Sequence, residues 1–162
     1  PRLLVVNSEG ANTFYELTNG MFGNKKLKWN SGRPDLDLIR EYYNEKDKGG
    51  IKPHTKATAI QIGKPANLIK ALRSIDFTNG FVIQVSDKEM SDGMALVGLN
   101  GFDCEMASGA VPAGIQKLRK QEIMKKDDVV VGILTGKQKD PKLSIDYHLN
   151  QSNTFSKPPV AK

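Results

Sequence analysis

The chain has 162 residues, of which 38% are hydrophobic and 26% are charged, and its formal net charge is +6 at pH 7. This length predicts one domain with its own hydrophobic core. No run of 18 or more apolar residues is present, so no transmembrane helix is expected, and the polar start does not resemble a secretory signal. Cys104 is the one cysteine, which excludes an intrachain disulfide and a multi-cysteine zinc site and favours a reducing cytoplasm. Because the chain begins with Pro1 rather than Met, we expect residues upstream of it.

The positive charge is dispersed along the sequence. Lys25, Lys26 and Lys28 form the densest basic stretch, and Trp29 follows them, but acidic side chains come soon after, beginning with Asp35. A nucleic-acid interface needs basic residues concentrated on one face, with aromatic residues where single strands are bound. The pattern therefore predicts a solvated surface, with no nucleic-acid partner and no membrane partner.

The first part of the sequence predicts a strand, a helix and a long polar excursion. Residues 3–6 are a short apolar run typical of a buried strand, and residues 11–17 favour a helix that ends near Asn19 and Gly20. The excursion covers residues 21–56. Within it, a set of apolar residues fits a short amphipathic helix: Leu36, Leu38, Ile39, Tyr42 and Tyr43.

Regular patterns return after the excursion. Residues 58–62 predict an extended segment, and Pro65 suits the first turn of a helix. That helix carries Leu68, Leu72 and Ile75 on one face, which indicates that this face is buried.

A turn, a strand and a capped helix follow. Asn79-Gly80 is a turn signal, and residues 81–85 are rich in the β-branched and aromatic side chains that strands favour. Ser86 and Glu89 have the spacing of a capping box, in which the two side chains satisfy free amides of the first helical turn. The helix carries three apolar residues on one stripe, which we interpret as core: Met90, Met94 and Val97.

The last part of the sequence predicts a short strand over residues 102–105, another helix, and a strand over residues 129–134. The helix between them has three apolar residues at helical spacing: Val111, Ile115 and Leu118. Strands joined by helices of about a dozen residues imply right-handed crossovers. The predicted fold class is α/β, with a mostly parallel, doubly wound sheet.

Candidate site residues follow from the position of the strands. Ligands of open parallel sheets bind beyond the carboxyl ends of the strands. Ser86 and Asp87 follow one predicted strand, and we assign them to the helix cap. Glu105, Ser108 and Gly109 instead open a helix with small residues, whose backbone amides an anionic group could approach. The four segments that follow predicted strands are residues 7–10, 86–87, 105–109 and 135–140.

Thr135 comes directly after the most strand-like segment of the chain. A neutral hydroxyl there can hydrogen-bond an uncharged ring nitrogen of a cofactor, whereas a carboxylate would hold that nitrogen protonated. A threonine at the end of a strand also often serves only as a turn or cap residue. Composition leaves both roles open.

Motif searches exclude several other kinds of site. The phosphate-binding GxxxxGK[ST], the dinucleotide-binding GxGxxG and the zinc-binding HExxH patterns are absent, so no metal site is expected. His54 and His148 lie far apart in sequence, and a surface or packing role is favoured over catalysis for each. Cys104 lacks a basic neighbour in sequence, so we expect a buried and inert thiol.

Four ordered segments resemble the C-terminal portion of the threonine synthase family: ATAIQIGKPANLIKALR, FVIQVSDKEM, GFDCEMASGAVPAGIQKL and VVVGILTGKQKDP. The opening PRLLVVNSEGANTFYEL, the excursion with KWNSGRPDLDLIREYY and the tail with SIDYHLN fit the same family. The resemblance implies a pyridoxal-phosphate-dependent enzyme with the tryptophan-synthase-β-like fold, known as fold type II. It also implies that residues 1–142 are the C-terminal part of the large domain and that residues 143–162 are an extended tail.

The same resemblance assigns residues to the cofactor site. In the family's LTG motif the hydroxyl residue meets the pyridine nitrogen of the cofactor, a role that carries over to Thr135. The family's ATAI segment, which lines the cofactor and substrate cleft, corresponds to residues 57–59. Met106 stands where the family has proline, and the loop beyond Thr135 is one residue shorter than usual. The implied cofactor-binding residues are Ala57, Thr58, Ala59, Glu105, Ser108, Thr135 and Gly136.

The reaction that the resemblance implies converts O-phospho-L-homoserine and water into L-threonine and phosphate. In the family, the lysine that forms the Schiff base and the loop for the cofactor phosphate lie upstream. We therefore expect no catalytic lysine in this chain and no activity from it alone. The expected partners are the upstream part of the enzyme and, in a homodimer, a second copy. Two alternatives stay open: a related fold type II dehydratase or β-replacement enzyme, and a non-catalytic basic binding module.

Overall fold

The computed structural model describes residues 1–20, 26–30 and 32–138, and the chain divides into two units, Pro1–Asp87 and Lys88–Lys162. The predicted tail, residues 143–162, lies outside the described residues, as does the predicted domain boundary at residue 142. Among the helices that are described, none combines the length and the hydropathy needed to cross a membrane.

A parallel pair of strands forms the sheet of the first unit. Strand β1 (Leu4–Ser8) pairs with β4 (Phe81–Val85) in a register that sets Leu4 opposite Phe81 and Ser8 opposite Val85. Strand β4 has the bounds predicted from sequence, whereas β1 begins one residue later than predicted and extends to Ser8. An α/β fold with a parallel sheet is therefore confirmed. The doubly wound arrangement is not seen in the described residues, which contain this two-stranded sheet and a two-residue antiparallel pair.

Two helices and a short hairpin lie between β1 and residue 50. Helix α1 (Thr13–Asn19) ends at Gly20, whose φ of 75° is the left-handed conformation that glycine adopts readily. The antiparallel pair of β2 (Trp29–Asn30) and β3 (Arg33–Pro34) precedes α2 (Leu36–Lys48). Asp35 caps α2, because its side chain accepts hydrogen bonds from the amides of Asp37 and Leu38. The buried side chains of one hydrophobic cluster are Leu17, Leu27, Leu38, Ile39, Tyr42, Leu68 and Leu72.

Residues 51–80 depart from prediction in two places. The segment predicted as extended contains a 3₁₀ turn, Thr58–Ile60, so that prediction was wrong. Helix α3 (Leu68–Phe77) begins three residues beyond Pro65 rather than at it. The predicted turn before β4 is confirmed, since Asn79 has a φ of 47° and Gly80 donates a hydrogen bond to the carbonyl of Ile75.

Helices α4 (Asp87–Leu99) and α5 (Met106–Lys120) belong mainly to the second unit, and α4 begins directly after Ser86 as the sequence predicts. Gly93 and Gly109 allow the two helices to approach closely, because a Cβ on either glycine would overlap backbone atoms of the other helix. Met90 and Met94 are buried, which confirms that they belong to the core.

Two strands predicted in the second unit are absent. Residues 102–105 and 129–134 form no strand in the described structure. In the second segment, Val129 is 95% exposed and Val131 is 85% exposed. The β-branched side chains satisfy the local preference for a strand, but a strand also needs a neighbouring backbone to accept its hydrogen bonds. None of the described residues supplies one.

Candidate functional site

The carboxyl ends of β1 and β4 lie side by side in the first unit, because the strands are parallel and Ser8 is opposite Val85. The amide of Glu9 extends the pairing by donating to the carbonyl of Val85 at 2.9 Å. This edge of the sheet is where ligands of parallel α/β folds bind. Gly10 and Asp87 each lie two residues beyond the end of one of these strands.

A loop from residue 53 to residue 60 is attached to this edge through Gly10. The amide of His54 donates to the carbonyl of Gly10 at 2.8 Å. A Cβ at residue 10 would overlap the carbonyl oxygen of His54, so glycine is required for this close approach. The contact of His54 with the sheet edge is thus made by its backbone.

The second attachment of the loop is through the Asp87 carboxylate. One of its oxygens accepts a hydrogen bond from the Thr55 hydroxyl, and the other accepts one from the amide of Lys56 at 3.0 Å. The Thr55 oxygen in turn accepts from the amide of Ala57 at 3.2 Å. Thr55 is 5% exposed and Ala57 is 2% exposed. Asp87 was predicted to serve the helix cap, and its contact with Thr55 was not predicted because the two residues are 32 positions apart in the chain.

The predicted site residues 57–59 lie at the end of this loop. Ala57 is buried against it, whereas Thr58 and Ala59 are exposed. Thr58 opens the 3₁₀ turn Thr58–Ile60, which is closed by a hydrogen bond from the amide of Ile60 to the carbonyl of Ala57 at 3.0 Å. The structure therefore presents Thr58 and Ala59 to solvent on a turn whose preceding residues are fixed by Asp87.

The other four predicted site residues come together in the second unit. The side-chain oxygen of Ser108 accepts hydrogen bonds from the amides of Thr135 and Gly136, both at 3.1 Å. The amide of Glu105 donates to the carbonyl of Gly136 at 3.0 Å. Ser108 is 2% exposed, so its hydroxyl lies inside the protein and holds residues 135 and 136 against the start of α5.

Thr135 is the exposed member of this cluster, whereas Glu105 and Gly136 are half-buried. A Cβ at Gly136 would overlap the Glu105 carboxylate, so the absence of a side chain at residue 136 lets that carboxylate lie against the backbone beside Thr135. Thr135 is exposed, and no group in the described part of the chain bonds to its hydroxyl. The arrangement therefore offers one exposed neutral hydroxyl at a position fixed by backbone hydrogen bonds.

Two further titratable groups are buried outside these clusters. The hydroxyl of Tyr42 donates to Glu16 at 2.6 Å, and Lys46 forms an ion pair with the same carboxylate at 2.7 Å. Burial and the hydrogen bond to Glu16 raise the pKa of Tyr42. Cys104 is buried as predicted. Burial, and then the charges of Asp103 and Glu105, raise the pKa of its thiol, which keeps it in the unreactive protonated form.

Comparison with known proteins finds several threonine synthases. The chain is 42% identical over 96 residues to threonine synthase of Methanosarcina acetivorans, an alignment that covers 58% of this chain and 24% of that protein. It is 39% identical over 95 residues to threonine synthase of Methanocaldococcus jannaschii, with 57% and 24% covered. The match to chloroplastic threonine synthase 2 of Arabidopsis thaliana has 28% identity over 150 residues, with 91% and 25% covered.

The chain thus spans about a quarter of the length of the curated relatives it matches. The resemblance to the C-terminal portion of threonine synthase inferred from the sequence is confirmed by these matches. Residues 1–136 also match the sequence profile of the family described as pyridoxal-phosphate dependent enzymes. That match includes all the predicted cofactor-site residues and most of the chain. The chain belongs to the family of pyridoxal-phosphate-dependent enzymes.

Proposed function

We propose that this chain is the C-terminal part of an enzyme that converts O-phospho-L-homoserine and water into L-threonine and phosphate. The support is the family of the chain together with relatives from two archaea and a plant, all described as threonine synthases. The relatives are about four times as long as the matched region, so the rest of the active site is proposed to lie in other parts of the enzyme.

The observation that carries the proposal is the fixed position of Thr135. Its amide bonds to Ser108, and its hydroxyl is exposed. A hydroxyl is neutral and can bond to an uncharged pyridine nitrogen, so the donor chemistry fits pyridoxal phosphate. We propose that Thr135 holds that nitrogen and that Gly136 and Glu105 line the same site. Ser108 would not touch the cofactor itself, and its hydroxyl would hold the backbone of residues 135 and 136 in place.

Pyridoxal phosphate, when bound, supplies an electron sink for the bonds broken and formed at the substrate. Thr135 would orient the group through its ring nitrogen, with Gly136 and Glu105 beside it. A threonine at the ring nitrogen leaves the ring less electron-withdrawing than an aspartate would, because an aspartate keeps that nitrogen protonated. We propose that catalysis depends on a lysine outside this chain for proton transfer and on this chain for cofactor orientation.

The first unit is proposed to supply one wall of the substrate cleft through Ala57, Thr58 and Ala59. The Thr58 hydroxyl is exposed and can bond to a polar substrate, and the small side chain of the exposed Ala59 leaves room for it, whereas Ala57 is buried in the loop. We further propose that the parallel pair β1–β4 is part of a doubly wound sheet in the complete protein. Residues 1–142 would belong to its large domain and residues 143–162 to a tail, in a cytoplasmic homodimer.

The test is a substrate comparison with the complete gene product. Phosphate release and L-threonine formation from O-phospho-L-homoserine are the expected results, with no comparable 2-oxoacid formation from L-threonine or L-serine. Preferential deamination of the two amino acids would instead identify a dehydratase. Steeply salt-dependent retention on nucleic acid, without turnover of any of the three, would identify a basic binding module.

A matched pair of variants connects the test to this chain. Thr135→Ala is expected to reduce the affinity for pyridoxal phosphate by about tenfold, the effect of losing one well-placed hydrogen bond. Thr18→Ala is the control, because the Thr18 hydroxyl bonds within its own helix to the carbonyl of Phe14 at 2.8 Å. Equal effects of the two substitutions would contradict the role proposed for Thr135.

A further inference from the structure

We propose that Asp87 is a positioning residue for the substrate, acting through Thr55 on the turn that carries Thr58 and Ala59. The inference rests on the proposed function, in which residues 57–59 line the substrate cleft. Asp87 lies two residues beyond the end of β4, so the backbone pairing of β1 and β4 holds it near the carboxyl end of the sheet.

The Asp87 carboxylate uses both oxygens on the loop. The Thr55 hydroxyl donates to one oxygen, and the amide of Lys56 donates to the other at 3.0 Å. The amide of Ala57 completes a chain of hydrogen bonds by donating to the Thr55 oxygen. Bonds to an ionised carboxylate are stronger than those between neutral groups, and Thr55 is almost fully buried. Consecutive backbone groups just before the exposed turn are therefore fixed by one side chain.

The loop is also anchored on either side of these bonds. On one side, the amide of His54 bonds to Gly10. On the other, the side-chain amide of Gln61 donates to the carbonyl of Pro53 at 2.9 Å, which closes the loop on itself. These anchors keep the loop on the protein, so loss of the Asp87 contacts changes the orientation of residues 56–58 rather than releasing the whole segment.

The expected consequence is a change in substrate binding with little change in the chemical step. The backbone that Asp87 and Thr55 hold leads directly into the turn that carries Thr58 and Ala59. A wall that samples several orientations binds the substrate more weakly, and this raises KM. The reacting groups proposed to lie elsewhere in the enzyme are untouched, so kcat is preserved.

Four variants of the complete gene product test the inference. Thr55→Val removes the hydroxyl at nearly constant shape, and Thr55→Ser restores it. Asp87→Asn keeps the shape but leaves only one oxygen to accept from the loop. Asp37→Asn is the control, because Asp37 is an exposed carboxylate paired with Arg40 on the surface of α2. If Asp87→Asn fails to fold, the pair of Thr55 variants decides the question.

Two measurements are made on each variant. Hydrogen exchange of the amides of Lys56 and Ala57, followed without cofactor, is expected to become about tenfold faster in Thr55→Val and Asp87→Asn. KM for O-phospho-L-homoserine is expected to rise at least about tenfold in both, with kcat within about twofold, while Thr55→Ser and Asp37→Asn match the wild type.

The outcomes separate this inference from the proposed function. A wild-type protein that does not release phosphate from O-phospho-L-homoserine would overturn both. An active wild type whose Thr55→Val and Asp87→Asn variants keep the control's KM would overturn the positioning role alone. Equal losses in kcat and thermal stability, without a selective rise in KM, would show a merely structural role and would also overturn it.

Discussion

The side-chain oxygen of Ser108 lies 3.1 Å from the backbone nitrogen of Thr135 and accepts its hydrogen bond. The same oxygen accepts a hydrogen bond from Gly136, so one buried hydroxyl on α5 fixes two consecutive residues that are 27 and 28 positions away. The sequence predicts a strand over residues 129–134, just before Thr135, but no strand forms there. Thr135 is held instead by its hydrogen bond to Ser108.

Ser108→Ala should therefore impair the site through Thr135. Removing the hydroxyl leaves two partly buried amides without their acceptor, at a cost of about 1–3 kcal/mol in the free energy of unfolding. Affinity for pyridoxal phosphate, measured by fluorescence titration, is expected to fall about tenfold. Ser74→Ala is the control, since within the described ranges the exposed Ser74 hydroxyl bonds only to the carbonyl of Lys70 in its own helix. Unchanged cofactor affinity in Ser108→Ala would contradict this coupling.

Gly136→Ala tests the contact between Gly136 and Glu105. A Cβ at residue 136 would overlap the Glu105 carboxylate, so the glutamate must move away from Thr135. We expect cofactor affinity to decrease by about tenfold, and we expect Glu105→Ala to relieve the steric part of that loss. A double-mutant cycle on cofactor affinity measures the coupling. Strictly additive effects would show that the two residues act independently.

Much of the fold could be predicted from local sequence. The apolar run of β4 has its predicted bounds, and the amphipathic spacing of residues 36–43 predicted a short helix in the place where the longer α2 (Leu36–Lys48) lies. These elements depend on periodicity and on capping residues close in sequence. Residues 129–134 carry an equally clear apolar pattern but form no strand, because pairing depends on a second segment that local sequence does not specify.

The candidate site also has one part that the sequence predicted and another that it did not. The resemblance to a known family led to the prediction that Thr135 meets the cofactor, and that role stays a prediction. It did not indicate that Ser108 is buried with its hydroxyl on two backbone amides, nor that Asp87 bonds to Thr55 and Lys56. Both are contacts between residues about 30 positions apart, which become visible only once the chain is folded.

Gly93→Ala should destabilise the second unit. Its Cβ would overlap the carbonyl oxygen of Gly109, and a backbone atom in a helix cannot move aside as a flexible side chain can. Overpacking of this kind costs about 1–3 kcal/mol in the free energy of unfolding, measured with chemical denaturant. The control is Gln116→Ala on the exposed side of α5. Gly93→Ala with the stability of the control would mean that the helices are not in close contact.

Tyr42→Phe should lower stability and change its pH dependence. The variant loses the hydrogen bond to Glu16, a charged acceptor, at a cost of about 1.5 kcal/mol. Tyr43→Phe is the matched control, since the Tyr43 hydroxyl has no hydrogen-bond partner among the described residues.

The pKa of Tyr42 is raised in the folded state by burial and by the bond to Glu16. A raised pKa means that the folded state holds the proton more tightly, so this contribution is complete below the unfolded pKa of about 10 and decreases as pH rises above it. The difference in unfolding free energy between wild type and Tyr42→Phe should therefore shrink above about pH 10. A difference that stays constant to higher pH would contradict the account.

Nitrogen NMR can show whether Thr135 meets the ring nitrogen of pyridoxal phosphate, as we propose. The complete gene product is loaded with cofactor labelled with ¹⁵N in the ring, and the chemical shift of that nitrogen is measured. If the Thr135 hydroxyl bonds to this nitrogen, the wild type gives a shift typical of an unprotonated nitrogen, and Thr135→Asp moves the shift to the protonated range. A protonated nitrogen in the wild type, or a shift that Thr135→Asp leaves unchanged, would contradict this role.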